Sequence, residues 1–149
     1  MKSYENCIIR IISMNDNGGK DKHAAAYAGK IGLVTYVDSI CQLHGTWGGL
    51  AVIPAEDKFE VLTVNDAITG ICKGLDVDKV TESLTSLLKA EVKLVDEKIE
   101  DSCMTKEDQY VMLRSYDVFL PVFNRRCYCR FFYGNNTKTV ADIEIEKEK

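Results

Sequence analysis

The 149 residues are 46% hydrophobic and 28% charged with only two prolines, a composition that leaves little room for long disorder and allows one full domain or two small ones. The net charge of −4 argues against broad phosphate binding, and neither half is basic: residues 1–64 hold six Lys+Arg against seven Asp+Glu, the remainder thirteen against sixteen. The only apolar run near the N-terminus, Cys7 to Ile12, contains Arg10 and is too short for a signal core or a membrane span, so a cytoplasmic protein is expected.

In chain order, Cys7 to Ser13 is rich in β-branched side chains and predicts a first strand. Residues 14–30, with Asn15, Asp16, Asn17, Gly18 and Gly19 before a small-residue stretch, predict a long loop with one helical turn. Gly32 to Asp38 predicts a second strand and Ile40 to Trp47 a third. Gly48-Gly49 is expected as the hairpin turn into Leu50 to Ile53. Pro54 ends that strand, and a helical turn at Ala55 to Asp57 leads to a fifth strand, Phe59 to Val64. Five short strands with this spacing are the layout of an SH3-like barrel over residues 1–64.

Residues 65–149 are expected to form a second, α+β domain. Asn65 to Gly74 is readable as helix or strand. From Asp76, apolar residues at Val77, Val80, Leu84, Leu87, Leu88, Val92, Val95 and Ile99 have the spacing of one buried helical face. Thr105 with Asp108 three positions on predicts the start of a second helix, running to about Tyr116. Three β-like runs come next, Val118 to Phe123, Cys127 to Tyr133 and Thr137 to Glu146, joined by turns at Asn124-Arg125 and Gly134 to Asn136. Pro121 makes the first an edge or bulged strand, and the last residues, Glu144 to Lys149, are expected to fray. The expected fold class is therefore α+β: a five-stranded barrel, two helices and a three-stranded antiparallel meander.

The stretch Val37-Asp38, Gln42-Leu43-His44, Trp47, Leu50-Ala51-Val52-Ile53-Pro54, Asp57 and Phe59 resembles a domain of unknown function carried by Gram-positive bacteria, their phages and mobile elements, with the pattern VDxxGQIHxxW…LALIPxxDxF. Cys41 replaces the family's Gly, Gly45 replaces a β-branched residue, and the hairpin after Trp47 is shorter. The resemblance implies the barrel and a phage or mobile-element origin; it implies no chemistry.

No catalytic or metal-ligating constellation stands out, and no cofactor is expected. The six cysteines are widely and irregularly spaced, as free thiols would be. Cys127-Tyr-Cys129 puts two thiols on one strand face, but a zinc knuckle needs two intervening residues, so small buried hydrophobes explain the pair better than a site completed by Cys103, Cys72 or His44. Cys41 and His44, three apart on one strand, would face opposite ways and could not act as a nucleophile and base. Gln42, His44 and Thr46 share a face opposite Leu43 and Trp47, which is either a binding surface or the wet side of a barrel strand.

Arg125, Arg126 and Arg130, flanked by Phe123, Tyr128, Phe131 and Tyr133, form the densest basic cluster, suited to stacking bases or to a protein hot spot. The binding candidates are thus Gln42, His44, Arg125, Arg126, Tyr128 and Arg130. The expected function is non-enzymatic binding of a host or phage protein, with inhibition of a host defence nuclease complex, as anti-CRISPR proteins do, the specific form. The alternative is a nucleic-acid-binding accessory factor using the Arg125 to Arg130 hairpin. An enzyme with a site assembled across the two halves has the least support.

Overall fold

The β-branched opening run forms β1, Ile8–Ser13, in the computed structural model, which describes residues 3–147. Ile8, Ile9 and Ile11 are buried, Ile9 and Ile11 in the core cluster that also holds Trp47, and β1 lies inside a five-stranded antiparallel sheet, between β2 (Ile31–Val37) and β5 (Lys58–Leu62). The sheet continues through β3 (Leu43–Gly45) to β4 (Gly48–Val52), in the order β4-β3-β2-β1-β5. It is open: β4 and β5 are its edges and do not pair, so the closed barrel expected from the spacing does not form among the described residues. The expected helical turn in the long loop is α1, Lys22–Ala25, where the Asp21 carboxylate accepts a hydrogen bond from the Ala24 N–H.

Two local departures have clear causes. The expected third strand shrinks to three residues because Asp38 holds the chain in a turn over 38–42: its Oδ1 accepts from the N–H groups of Ile40 and Gln42, and Cys41 adopts φ 66°. The hairpin corner is Thr46-Trp47, not Gly48-Gly49, since Gly45 pairs with Gly48. Trp47 folds back under the sheet, with its indole N–H donating to the Leu50 carbonyl at 2.8 Å. A Cβ at Gly45 would overlap the Trp47 ring, and one at Gly32 would lie 2.9 Å from the Trp47 nitrogen. Small residues at these positions are what allow the ring to sit 3% exposed in a core with Ile9, Val34, Leu43 and Val52. Asp57 is the one buried charged side chain among the described residues. Its two oxygens accept from the N–H groups of Asn15 and Ile53, both at 2.7 Å, binding the long loop to the end of β4.

The chain divides into two compact units, Met1–Ala67 and Ile68–Lys149, with the boundary inside α2, Val64–Cys72. The segment readable as helix or strand is thus helical, started by Thr63, whose Oγ1 accepts from the Asp66 N–H. Asp76 caps a 3-10 turn, Val77–Lys79, that leads into α3, Val80–Leu88. The helix expected to reach Ile99 stops here because Lys89 takes a left-handed conformation (φ 54°) and donates its N–H to the Leu84 carbonyl. Beyond it lies β6, Glu91–Ser102.

The second expected helix, by contrast, is absent. Thr105 Oγ1 does accept from the Asp108 N–H, but the Thr105 N–H donates to the Asp108 carbonyl, closing a four-residue turn that delivers the chain into β7, Tyr110–Leu120. Pro121 ends that strand in a 3-10 turn, Pro121–Phe123, and Asn124 at φ 47° turns it into β8, Arg125–Gly134. With β9, Val140–Lys147, the sheet is a four-stranded meander, β6-β7-β8-β9, where three strands were expected. One face buries Tyr116, Val118, Leu120, Cys127, Cys129 and Phe131. None of the helices among the described residues is long and apolar enough to cross a membrane.

The fit of Trp47 against Gly45 is testable. Gly45→Ala should cost the first unit about 1–3 kcal/mol through overpacking. Gly49→Ala, with open space around the new methyl and an ordinary backbone, should be close to neutral. Trp47 is the single tryptophan of the chain, so its fluorescence in urea reports the unfolding of this unit directly.

Candidate functional site

In the first unit the chemistry gathers around the Asp38 turn. Asp38 Oδ2 lies 2.8 Å from His44 Nε2, and the His44 ring stacks on Tyr36 with centroids 4.4 Å apart and planes 1° from parallel. This register comes from the β2–β3 pairing, which sets Tyr36 opposite His44. The His44 hydrogen bond, then that of the Gln42 N–H, holds the Asp38 carboxyl below its ordinary value. Gln42 is half-buried at the base of the turn, and Thr46 Oγ1 is occupied by the Leu33 N–H. Cys41 is exposed on the turn instead of on a strand, and no hydrogen bond joins it to His44 among the described residues. Beside the turn lies a mainly apolar groove of about 380 Å³, lined by Tyr4, Val37, Asp38, Cys41, Leu43 and Pro54.

In the second unit the β7–β8 register decides what the arginine cluster can do. Residues directly opposite in a sheet share a face. Arg126 pairs with Phe119, Tyr128 with Asp117 and Arg130 with Ser115, so these six belong to the outer face. Arg125 pairs with Leu120 and shares the parity of buried Cys127 and Cys129. The sequence cluster is therefore split, with Arg125 facing the other way. On the outer face, Arg126 Nη1 meets both Asp117 oxygens at 2.8 and 2.7 Å, and its guanidinium lies 5.1 Å from the Phe119 ring centroid. Arg130 Nη2 contacts Glu144 at 2.9 Å and Glu146 at 3.1 Å. Tyr128 stands between them, 41% exposed. The carboxylates Asp96 and Asp142 occupy the same face, opposite Ser115 and Phe132.

A second charged cluster lies on the inner parity. Arg114 reaches Asp78 at 2.9 Å and contacts Glu97, while the Tyr133 hydroxyl donates to Glu97 at 2.7 Å. Arg114 lowers the pKa of both acids, and burial, with the bond to Glu97, pushes Tyr133 up to about 12. The phenol therefore stays protonated as a donor, and the cluster acts as a clamp. Its bonded partners are 17 to 36 residues apart, so no sequence spacing could reveal it. The partners of Arg130 did leave a trace: Glu144 and Glu146 alternate with Ile143 and Ile145, the period of a strand with one wet face.

Cys72, Cys127 and Cys129 are buried thiols, and among the described residues no group of three or more His, Cys, Asp or Glu is arranged to hold a metal ion. Burial pushes Cys72 and Cys129 up to about 12, which removes thiolate at neutral pH. Comparison with protein-family models, functionally described proteins and solved structures finds no match to this chain.

Asp38→Asn keeps the turn's shape but removes the charge beside His44. Because Asp38 titrates below its ordinary value in the fold, its ionised form adds stability that is complete above the ordinary carboxylate range and is lost as pH falls through the depressed value. The variant should therefore be less stable than the parent at neutral pH, with the gap narrowing on acidification, as monitored by Trp47 fluorescence in urea. For the thiols, a maleimide at neutral pH should label exposed Cys41 first and reach Cys72, Cys127 and Cys129 only after denaturation, read by mass spectrometry of the peptides.

Proposed function

We propose that this chain is a non-enzymatic protein of phage or mobile-element origin that binds a basic, nucleic-acid-handling host protein through the outer face of the β6–β9 sheet. Inhibition of a defence nuclease is the form of that activity which fits the charge best. The observation that carries the reading is the neutralisation of Arg126 and Arg130 by Asp117, Glu144 and Glu146 within the sheet; Lys93 and Lys98 share the face, but Glu91, Asp96, Asp101 and Asp142 outnumber them, so carboxylates are its surplus charge. Along β9, Asp142, Glu144 and Glu146 repeat every second residue, about 7 Å apart, close to the spacing of phosphates along an extended nucleic-acid strand. A partner groove lined with Lys and Arg would meet those carboxylates as it meets a phosphate backbone. Tyr128, exposed among them, supplies the aromatic contact that interfaces favour.

The first unit is read as an opened SH3-like barrel. Its strand order and the Gln42-Leu43-His44, Trp47 and Ile53-Pro54 pattern support that reading and the mobile-element origin. The alternative, nucleic-acid binding through the arginine hairpin, is weakened by the same ion pairs and by the opposite parity of Arg125.

Affinity-tagged protein should retain a stoichiometric basic partner from host lysate. Asp142→Lys with Glu146→Lys, which leaves Arg130 its bridge to Glu144, should cut that capture at least about tenfold, while altering stability by only about 0.5 kcal/mol. Absence of any stoichiometric partner counts against the proposal. DNA or RNA binding that weakens steeply with salt and fails in Arg125→Ala with Arg126→Ala would favour the alternative.

A further inference from the structure

β6 is a twelve-residue edge strand, longer than the roughly 3–10 residues usual for strands, and among the described residues its only neighbour in the sheet is β7. Every side chain on it except Val92 is exposed, including Leu94 at 49%, Val95 at 60% and Ile99 at 59%. Such an edge presents a row of backbone donors and acceptors to any strand that fits it. From the order of residues along β6 and its pairing with β7, we infer that β6 pairs antiparallel with β6 of a second copy of this chain, about a two-fold axis at Glu97, giving a closed dimer with a continuous eight-stranded sheet.

Charges and bulges ordinarily blunt an edge, but here the charges are self-complementary. With the axis at Glu97, Lys93 falls opposite Asp101, Asp96 opposite Lys98, and Val95 opposite Ile99, each pair occurring twice by symmetry. The faces agree as well. Pairing with β7 places Lys93 opposite Asp117, Asp96 opposite Ser115, Lys98 opposite Leu113 and Asp101 opposite Val111, so all four charged residues share the outer parity despite the bulges at 94–96 and 99–101. The like charges that meet at the axis belong to Glu97, whose carboxylate is already held by Arg114 and the Tyr133 hydroxyl.

The opposite edge has the reverse character. Self-pairing of β9 about Glu144 would set Asp142 against Glu146 and Glu144 against itself, like charge on like. One edge therefore accepts a copy and the other rejects it, which favours a closed dimer over a growing sheet. This surface is separate from the β9 carboxylates of the proposed partner face.

In sedimentation velocity the full chain should show a concentration-dependent monomer–dimer equilibrium. Lys93→Glu with Lys98→Glu makes the four positions all acidic, and Asp96→Lys with Asp101→Lys makes them all basic. Each variant alone should dimerise at least about tenfold more weakly, and an equimolar mixture should recover a heterodimer. In the unmodified chain, amide hydrogen exchange across Glu91–Ser102 should slow as concentration rises, which needs no variant to fold. A wild-type chain that stays monomeric at every attainable concentration, charge variants that dimerise like the parent, or concentration-dependent protection in β9 instead of β6 would each overturn the inference.

Discussion

Ten consecutive residue pairs join β7 to β8 without a bulge, from Val111 opposite Gly134 to Leu120 opposite Arg125, and they fix the side of the sheet on which every side chain of the two central strands lies. A slip of one residue would exchange the faces of β8, sending Cys127, Cys129 and Phe131 to solvent and Arg126 and Arg130 into the core. The burial of those apolar residues and of Tyr116, Val118 and Leu120 holds the register in place. Arg126 then falls diagonal to Asp117 and Arg130 opposite Glu144, within reach of ion pairing. The charge balance of the outer face is thus a consequence of core packing on the other side.

The first unit rests on a different constraint, the fit of one large ring into a space made by missing side chains. Trp47 occupies what Cβ atoms at Gly32 and Gly45 would fill, and this moves the hairpin corner onto Thr46-Trp47. Asp57 completes the arrangement by satisfying two backbone donors from segments 38 residues apart, Asn15 and Ile53. The Asp38 turn and its stacked His44 stand on this frame, which is why the most specific part of the sequence pattern describes scaffold more than site.

Legibility in the sequence had the same physical limits. The strands of the first unit were legible because β-branched runs are bounded by turn residues, although Gly48-Gly49 attracted the corner that the Trp47 ring actually dictates. Val77 to Leu88 is helical as its spacing predicts, but the same spacing through Val92, Val95 and Ile99 belongs to a strand. The bulges at 94–96 and 99–101 stretch an every-second-residue pattern into intervals of three and four, which imitates a helix. Thr105 and Asp108 form the hydrogen bond of a helix start, and yet the turn closes at once, because the side chain-to-backbone bond specifies one turn and leaves the next residues free to extend. Arg125, Arg126 and Arg130 were found as residues; their division between faces and their carboxylate partners depend on pairings between distant segments.

The two sheet orders also set when each unit can be completed as the chain leaves the ribosome. In β6-β7-β8-β9 every strand lies beside its sequence neighbour, so each hairpin can close locally as soon as it is made, the kind of topology that folds quickly. In β4-β3-β2-β1-β5 the first strand is flanked by the last, and Ile8 must wait for Leu62. Until then one side of the Ile8-Ile9-Arg10-Ile11 run has no neighbour. The second unit can assemble hairpin by hairpin during synthesis, whereas the first must close a loop of more than fifty residues before its central strand is covered.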